Sequence, residues 1–129
     1  MSNAATIIPI AGGKGGVGET LFTANLAWAL AELGHSTIAV DLDLGNSNLH
    51  SLLGLPNRHA GIGDFLRVGG GQLEDFLVET AHPQLRVLAG DGRMPFMANI
   101  THAQKTQLIS KMKTLPAQYL LLDLGAGGI

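Results

Sequence analysis

Apolar and β-branched runs alternate along the chain with segments whose apolar residues recur at helical spacing. Four runs are short enough to be buried strands, and they lie at residues 5–10, 37–40, 85–88 and 119–122. Between the first two runs, residues 20–33 have mostly helical spacing and are followed by Gly34, which is typical of a helix C-cap. A strand, a glycine-rich turn, a helix and a second strand predict a right-handed βαβ unit with parallel strands.

The remaining segments are less regular. Short helices are predicted at residues 47–53, 64–68 and 73–78, and a longer helix is predicted at 101–113. Together with the four strands, they predict one α/β domain over residues 1–129 with a mostly parallel sheet. A doubly wound sheet normally continues beyond its fourth strand, so we expect this domain to be truncated after the strand at 119–122.

Composition narrows the class of protein. Hydrophobic residues make up 46% of the chain and charged residues 14%, which suits strands that are buried on both faces. The eight Lys and Arg residues are scattered and the net charge is −2, so charge gives no support for a nucleic-acid partner. The absence of cysteine excludes disulfides. The sequence contains no run of 18 apolar residues, so it predicts no membrane-spanning segment. We therefore expect a soluble, cytoplasmic protein.

The strongest chemical signal is the glycine-rich turn between the first strand and the first helix. Residues 13–20 read GKGGVGET, which matches the phosphate-binding pattern G-x-x-x-x-G-K-[ST] except that Glu19 replaces the lysine. Glycines let backbone amides surround phosphate oxygens, the helix N-terminus adds partial positive charge, and a hydroxyl at Thr20 suits Mg²⁺. The residues expected to bind nucleotide are Gly13, Lys14, Gly15, Gly16, Val17, Gly18, Glu19 and Thr20.

Two other interpretations of this turn stay open. It could be a tight turn without a ligand, or Gly13, Gly15 and Gly18 could form the dinucleotide fingerprint G-x-G-x-x-G. In the second case Asp41 would occupy the place of the ribose-binding acid. The lysine inside the loop, the hydroxyl at its end and a second acid at Asp43 argue against a dinucleotide.

Acidic residues follow the second and fourth predicted strands. Asp41 and Asp43 are two residues apart, so in an extended segment their side chains point the same way. Asp123 ends an apolar strand, as does the acid that holds Mg²⁺ directly or through water in phosphoryl-transfer sites. The alternative for Asp41 and Asp43 is a pair of solvated carboxylates at a strand end, and the alternative for Asp123 is an ordinary buried strand that ends in aspartate.

These motifs, in this order, resemble the MinD, ParA, Mrp and cobyrinic-acid-synthase ATPases, whose deviant phosphate loop usually reads KGGVGKT. The resemblance spans residues 5–127 and implies a three-layer P-loop NTPase fold with ATP and Mg²⁺ as cofactors. It implies that Lys14 reaches the partner's phosphates in an ATP-sandwiched homodimer and that Asp43 positions the attacking water. It further assigns Thr20, Asp41 and Asp123 to Mg²⁺, and Gly127 to sensing the γ-phosphate.

Residues 48–54 and 61–66 look most like the MinD and FlhG branch. The resemblance therefore implies a dimerising switch ATPase that positions or regulates a protein partner in cell division, chromosome partitioning or flagellar placement. Alternatives are an ATP-binding domain like that of cobyrinic acid a,c-diamide synthase, a dinucleotide-binding oxidoreductase domain, and a non-catalytic pseudo-ATPase scaffold.

Glu19 is the one departure from the family's loop. It is interpreted as an introduced change, as the mark of a natural pseudo-ATPase, or as a residue that Mg²⁺ bridges to a weakly bound nucleotide. In each case the reversed charge is expected to impair nucleotide chemistry. The five histidines share no metal-ligand spacing, and Trp28 is expected to be a core or interface residue.

Overall fold

A five-stranded sheet runs through the part of the chain that the computed structural model describes, which is residues 5–11, 16–42, 49–55, 61–62, 65, 71–90 and 101–124. The strands are β1 (Thr6–Ile10), β2 (Thr37–Asp41), β3 (Val78–Glu79), β4 (Leu85–Leu88) and β5 (Tyr119–Asp123). Their order in the sheet is β1-β5-β2-β4-β3, and every pairing is parallel except that of β3 with β4. The predicted mostly parallel sheet is confirmed.

Helices cover both faces of this sheet. They are α1 (Gly16–Glu32), α2 (Leu49–Leu52) and α3 (His102–Met112), with a 3-10 helix at Leu73–Phe76. One core, on the α1 face, contains Ile10, Ala24, Ala27, Ala31, Ala39, Leu49, Leu85 and Leu121. The other core, on the α3 face, contains Ile38, Val40, Leu42, Ile62, Phe65, Leu73, Leu88, Leu108, Met112, Leu115 and Leu120. This is the three-layer α/β architecture that the sequence predicts.

Small side chains carry the contact between α1 and the sheet. Ala24, Ala27 and Ala31 are buried against it, whereas Phe22 and Leu33 are 56% and 73% exposed. The helical spacing of apolar residues thus identifies the helix correctly, but alanines form its fully buried contact, and the larger Leu26 and Leu30 are only partly buried against the same core. Trp28 is also partly exposed, and its ring packs edge-on against His82 at a centroid distance of 5.2 Å.

The ends of the helices follow local signals. At the C-terminus of α1, Gly34 adopts a φ of +90° and donates to Ala31 O, while His35 N donates to Leu30 O. These two bonds form a Schellman motif, in which the left-handed conformation favours glycine. At the N-terminus of α3, a reciprocal capping box joins Thr101 and Gln104.

Two predicted boundaries need correction. The helix predicted at 20–33 begins earlier, at Gly16, so its first turn includes part of the glycine-rich loop. The helix predicted at 73–78 is wrong at its end, because the 3-10 helix stops at Phe76 and Val78–Glu79 pair with β4. The helix predicted at 64–68 lies outside the described residues except for Phe65, and the one at 47–53 corresponds to Leu49–Leu52.

In the described ranges, no helix has the length and apolarity needed to cross a membrane.

Candidate functional site

The candidate site lies where three parallel strands end beside the first turn of α1. Asp123 at the end of β5 is in register with Ile10 on one side and with Asp41 on the other. The ladder continues one residue beyond the strands, because Leu42 N donates to Asp123 O at 2.8 Å and Leu124 N donates to Ile10 O at 3.0 Å. Two of the predicted acids are therefore on neighbouring strands at the carboxyl edge of the sheet, where ligands bind in open α/β folds.

The first turn of α1 brings hydroxyl groups to the same region. Thr20 and Thr23 are both fully buried, and the Thr23 hydroxyl donates to the carbonyl oxygen of Glu19 at 2.9 Å. Gly18 is exposed, and a methyl group added there would meet nothing within 4 Å. The first turn of α1 is thus open at Gly18, and a buried threonine follows it at Thr20.

Asp41 has a structural contact that sequence reasoning missed. The carboxylate is buried, and its Oδ2 accepts a hydrogen bond from the backbone N–H of Leu49 at 3.2 Å. Leu49 is the first residue of α2, so Asp41 satisfies one of the free amides at that helix N-terminus. Asp41 and Leu49 are eight residues apart in the sequence. The D-x-D pattern alone therefore gives no signal for this hydrogen bond.

Glu19 lies in the wall of this site as a buried acid. The residue is 9% exposed, and among the residues that the structure describes neither of its carboxylate oxygens has a hydrogen-bond partner. The lysine and arginine side chains that the structure describes are Arg86, Lys111 and Lys113, and none of them is on α1, β1, β2 or β5. Within the described residues, the site therefore combines three buried carboxylates, those of Glu19, Asp41 and Asp123, with no cationic side chain.

The remaining predicted site residues are described in part or not at all. Gly16 and Val17 belong to the first turn of α1, and only their backbone is described. Five predicted residues lie outside the described part of the chain: Gly13, Lys14, Gly15, Asp43 and Gly127.

His50 is a further residue near the site that the sequence did not single out. It follows Leu49 in α2 and is buried, and its burial lowers the pKa of the imidazole. Desolvation disfavours the charged form of the imidazole.

The residues present suit a magnesium ion better than they suit a phosphate group. The hydroxyl of Thr20 and the carboxylates of Asp41 and Asp123 are oxygen ligands of the kind that Mg²⁺ prefers. No group of three His, Cys, Asp or Glu side chains in the described part could hold a metal by itself. An ion here would therefore take its other ligands from water and nucleotide, as Mg²⁺ usually does. The open space at Gly18 also fits phosphate, but the carboxylate of Glu19 opposes it.

Comparison with known proteins identifies the fold and the family. Residues 8–124 match the family described as the CobQ/CobB/MinD/ParA nucleotide binding domain. The chain belongs to this family. It is 33% identical over 124 residues to the septum site-determining protein MinD of Helicobacter pylori, covering 95% of this chain and 46% of that protein. The chain thus spans less than half the length of this curated relative.

Solved structures give the same assignment. The cell division ATPase MinD of Pyrococcus furiosus superposes with a TM-score of 0.80 at 32% identity, over 95% of this chain and 51% of that one. MinD from Pyrococcus horikoshii, solved with Mg-ADP, gives 0.80 at 33%, over 95% and 50% of the two chains. A MinC:MinD complex from Aquifex aeolicus gives 0.76 at 34%, over 92% and 47%. A cobyrinic acid a,c-diamide synthase from Mycobacterium smegmatis gives 0.77 at 23%, over 95% and 53%, which shows the shared fold alone.

Proposed function

We propose that these residues form the nucleotide-binding part of a MinD-type ATPase switch. In this proposal, Glu19 weakens the affinity of the site for MgATP. The observation that carries the proposal is the meeting of the α1 N-terminus with the ends of β1, β5 and β2, where Thr20, Asp41 and Asp123 are all buried. Solved relatives described as an ATPase and as a complex with Mg-ADP support a nucleotide rather than a dinucleotide as the ligand.

In this proposal each element of the site has a separate task. The backbone of residues 13–18 surrounds the phosphates at the helix N-terminus, and Thr20 and Asp123 hold Mg²⁺, with Asp41 in its outer environment. Asp43 orients the attacking water, Gly127 responds to the γ-phosphate, and Lys14 reaches the nucleotide of a second subunit. The magnesium ion, when bound, would neutralise developing phosphate charge.

Glu19 determines how well this site could work. Two unit charges about 4 Å apart interact by about 4 kcal/mol at an effective dielectric near 20, so replacing lysine by glutamate changes the interaction by up to roughly 8 kcal/mol. Solvent and Mg²⁺ screen much of this. One quarter of it, about 2 kcal/mol, still lowers the affinity more than tenfold.

The test is calorimetric titration of MgATP into the unmodified chain and into Glu19→Lys and Glu19→Gln. We expect Glu19→Lys to bind at least about tenfold more tightly than the unmodified chain, with Glu19→Gln between the two. Thr20→Val in the Glu19→Lys background is the matched control, because it removes the magnesium ligand while it restores the charge. Equal affinities for the unmodified chain and Glu19→Lys would contradict the proposal.

The assembly that the family resemblance implies forms the second part of the proposal. A full-length protein would dimerise when it binds ATP and would position a protein partner, as the MinC:MinD complex suggests for its own components. Light scattering of a full-length Glu19→Lys protein with ATP and with ADP tests this, since only ATP is expected to produce the dimer.

A pseudo-ATPase scaffold is the second candidate, and the unpartnered carboxylate of Glu19 is the observation that favours it. A scaffold would retain its partner surface without nucleotide. Failure of both the unmodified chain and Glu19→Lys to bind MgATP, with the fold intact by circular dichroism, would favour the scaffold over the switch.

A further inference from the structure

The carboxylate of Glu19 is buried at the phosphate-binding turn itself. The residue is only 9% exposed, and within the described residues neither carboxylate oxygen has a hydrogen-bond partner. A buried carboxylate that stays unpaired is costly, and a cation bound to it removes much of that cost. Any anionic ligand that enters this turn adds repulsion to the cost, so a filled site needs a cation at Glu19.

Glu19 and Gly18 line the same cavity, and residues 8–10 of β1 form its other wall. A methyl group built on Gly18 would meet nothing within 4 Å, so this part of the cavity has room for a ligand. In the phosphate-loop pattern, Gly18 is the final glycine, and position 19 belongs to the lysine that reaches the β- and γ-phosphates. The carboxylate therefore borders the space that the pattern gives to the terminal phosphates.

This carboxylate is on a different side of the site from the expected magnesium ligands. Glu19 and Thr20 are consecutive on α1, and consecutive residues of a helix point about 100° apart. Neither Thr20 nor Asp123 is among the described residues that line the cavity of Glu19. No three His, Cys, Asp or Glu groups in the described part of the chain could share one metal. An ion held by Thr20 and Asp123 therefore leaves Glu19 without a cation.

The charge that is missing at position 19 equals the charge of one divalent cation. The usual loop has a lysine here, and its replacement by glutamate changes the charge from +1 to −1, a loss of two positive charges. MgATP is itself anionic, so it cannot supply them. Mg²⁺ is commonly bound by one or two carboxylates together with substrate phosphates and several waters, and Glu19 beside the terminal phosphates offers this set of ligands.

We propose that the site binds ATP together with two divalent cations, one of which bridges the Glu19 carboxylate to the β- and γ-phosphates. The other is the ion of Thr20 and Asp123. This arrangement rests on the nucleotide-binding function proposed above, and it restores part of the affinity that Glu19 removes. Glu19 supplies too few ligands by itself, so the second ion binds only together with the nucleotide.

The test measures how the affinity for ATP depends on free Mg²⁺, above the concentration at which all ATP already carries one ion. ATP is titrated calorimetrically into the unmodified chain at several Mg²⁺ concentrations, and sodium chloride keeps the ionic strength constant so that screening does not change. The affinity should rise about tenfold for a tenfold increase in free Mg²⁺ while the second ion is below saturation. A site that takes one ion shows no such rise.

Variants connect the rise to the carboxylate. Glu19→Gln keeps the shape of the side chain without its charge, so its affinity for ATP should change by less than about twofold over the same series, as should that of Glu19→Lys. Glu32→Gln is the matched control, because it removes a 60% exposed acid from the same helix and should retain the rise. The advantage of Glu19→Lys over the unmodified chain should therefore shrink as free Mg²⁺ increases.

Counting the bound ions gives a readout that does not depend on affinity. Mn²⁺ accepts the same oxygen ligands as Mg²⁺, and its electron paramagnetic resonance signal measures the ion that stays free. With saturating ATP, the unmodified chain should hold one more Mn²⁺ per nucleotide than Glu19→Gln does. Without nucleotide, the two proteins should bind Mn²⁺ equally.

Three results would overturn the proposal and leave the proposed function in place. They are an affinity of the unmodified chain that does not change with Mg²⁺, equal Mn²⁺ counts for the unmodified chain and Glu19→Gln in the presence of ATP, and ATP binding by Glu19→Lys alone at every Mg²⁺ concentration. Failure of Glu19→Lys itself to bind ATP would refute the nucleotide-binding function and this inference with it.

Discussion

Replacing the buried carboxylate of Glu19 should stabilise the folded chain. Both carboxylate oxygens are inaccessible, and neither has a hydrogen-bond partner in the described part of the chain. An unsatisfied buried polar group costs about 1–3 kcal/mol, and a charged one costs more. The negative charge also lies in the first turn of α1, where its interaction with the helix dipole returns about 0.3–1 kcal/mol. The desolvation cost is therefore the larger effect.

Glu19→Gln retains the shape of the side chain and removes the charge, so we expect a gain of about 1 kcal/mol in the free energy of unfolding. Glu19→Met also removes the polar atoms, and the gain should approach about 2 kcal/mol. Urea denaturation at pH 7 measures both. With a slope of about 1–3 kcal/mol/M, the midpoint should rise by roughly 0.5–1 M while the slope itself stays constant.

Glu32→Gln is the matched control for this experiment. It is on the same helix, but its side chain is 60% exposed and lies 3.8 Å from the imidazole of His82. Because the Glu32 carboxylate is largely exposed, this contact contributes little, and the variant should change the free energy of unfolding by less than about 0.5 kcal/mol. A fall in the midpoint on Glu19→Gln would refute the reasoning, because it would mean that the carboxylate makes a favourable contact inside the fold.

Two further predictions concern other parts of the domain. Gly61→Ala should destabilise it by about 1–3 kcal/mol in urea denaturation, because the added methyl group would lie 2.1 Å from the carbonyl oxygen of Ala89; an unchanged midpoint would contradict this close approach. Burial lowers the pKa of His50 in the folded chain, so its stabilising contribution is complete above the unfolded pKa near 6.5 and is lost as the pH falls from there toward the folded pKa. His50→Gln should flatten that part of the pH–stability curve, and an unaltered curve would show that another group causes it.

Sequence alone predicted the parts of this molecule that depend on local pattern. The apolar runs give β1, β2, β4 and β5, and Gly34 marks the end of α1 because only a residue that tolerates the left-handed conformation closes a Schellman motif cheaply. The order of the motifs was sufficient to recognise the family. The resemblance assigned Asp41 and Asp123 to one magnesium site, and both lie at the same edge of the sheet.

Features that depend on packing were not predictable. The two residues of β3 are too few to show a period, so their antiparallel pairing with β4 decides their conformation. Gly16 and Gly18 are poor helix formers, yet the first turn of α1 includes them. Helical spacing also could not reveal which side of α1 faces the sheet, since both sides carry apolar residues.

The alanines beneath α1 determine how far the helix stands from the strands, and so they also set the height of its first turn. A bulkier side chain at Ala27 would lift the helix axis and carry the Thr20 hydroxyl away from the end of β5. If variants are selected for restored nucleotide affinity, the substitutions should therefore fall in the glycine-rich loop and should leave the alanines between α1 and the sheet unchanged. The alanine side chains act as a spacer between α1 and the sheet, and each of them contributes only one methyl group.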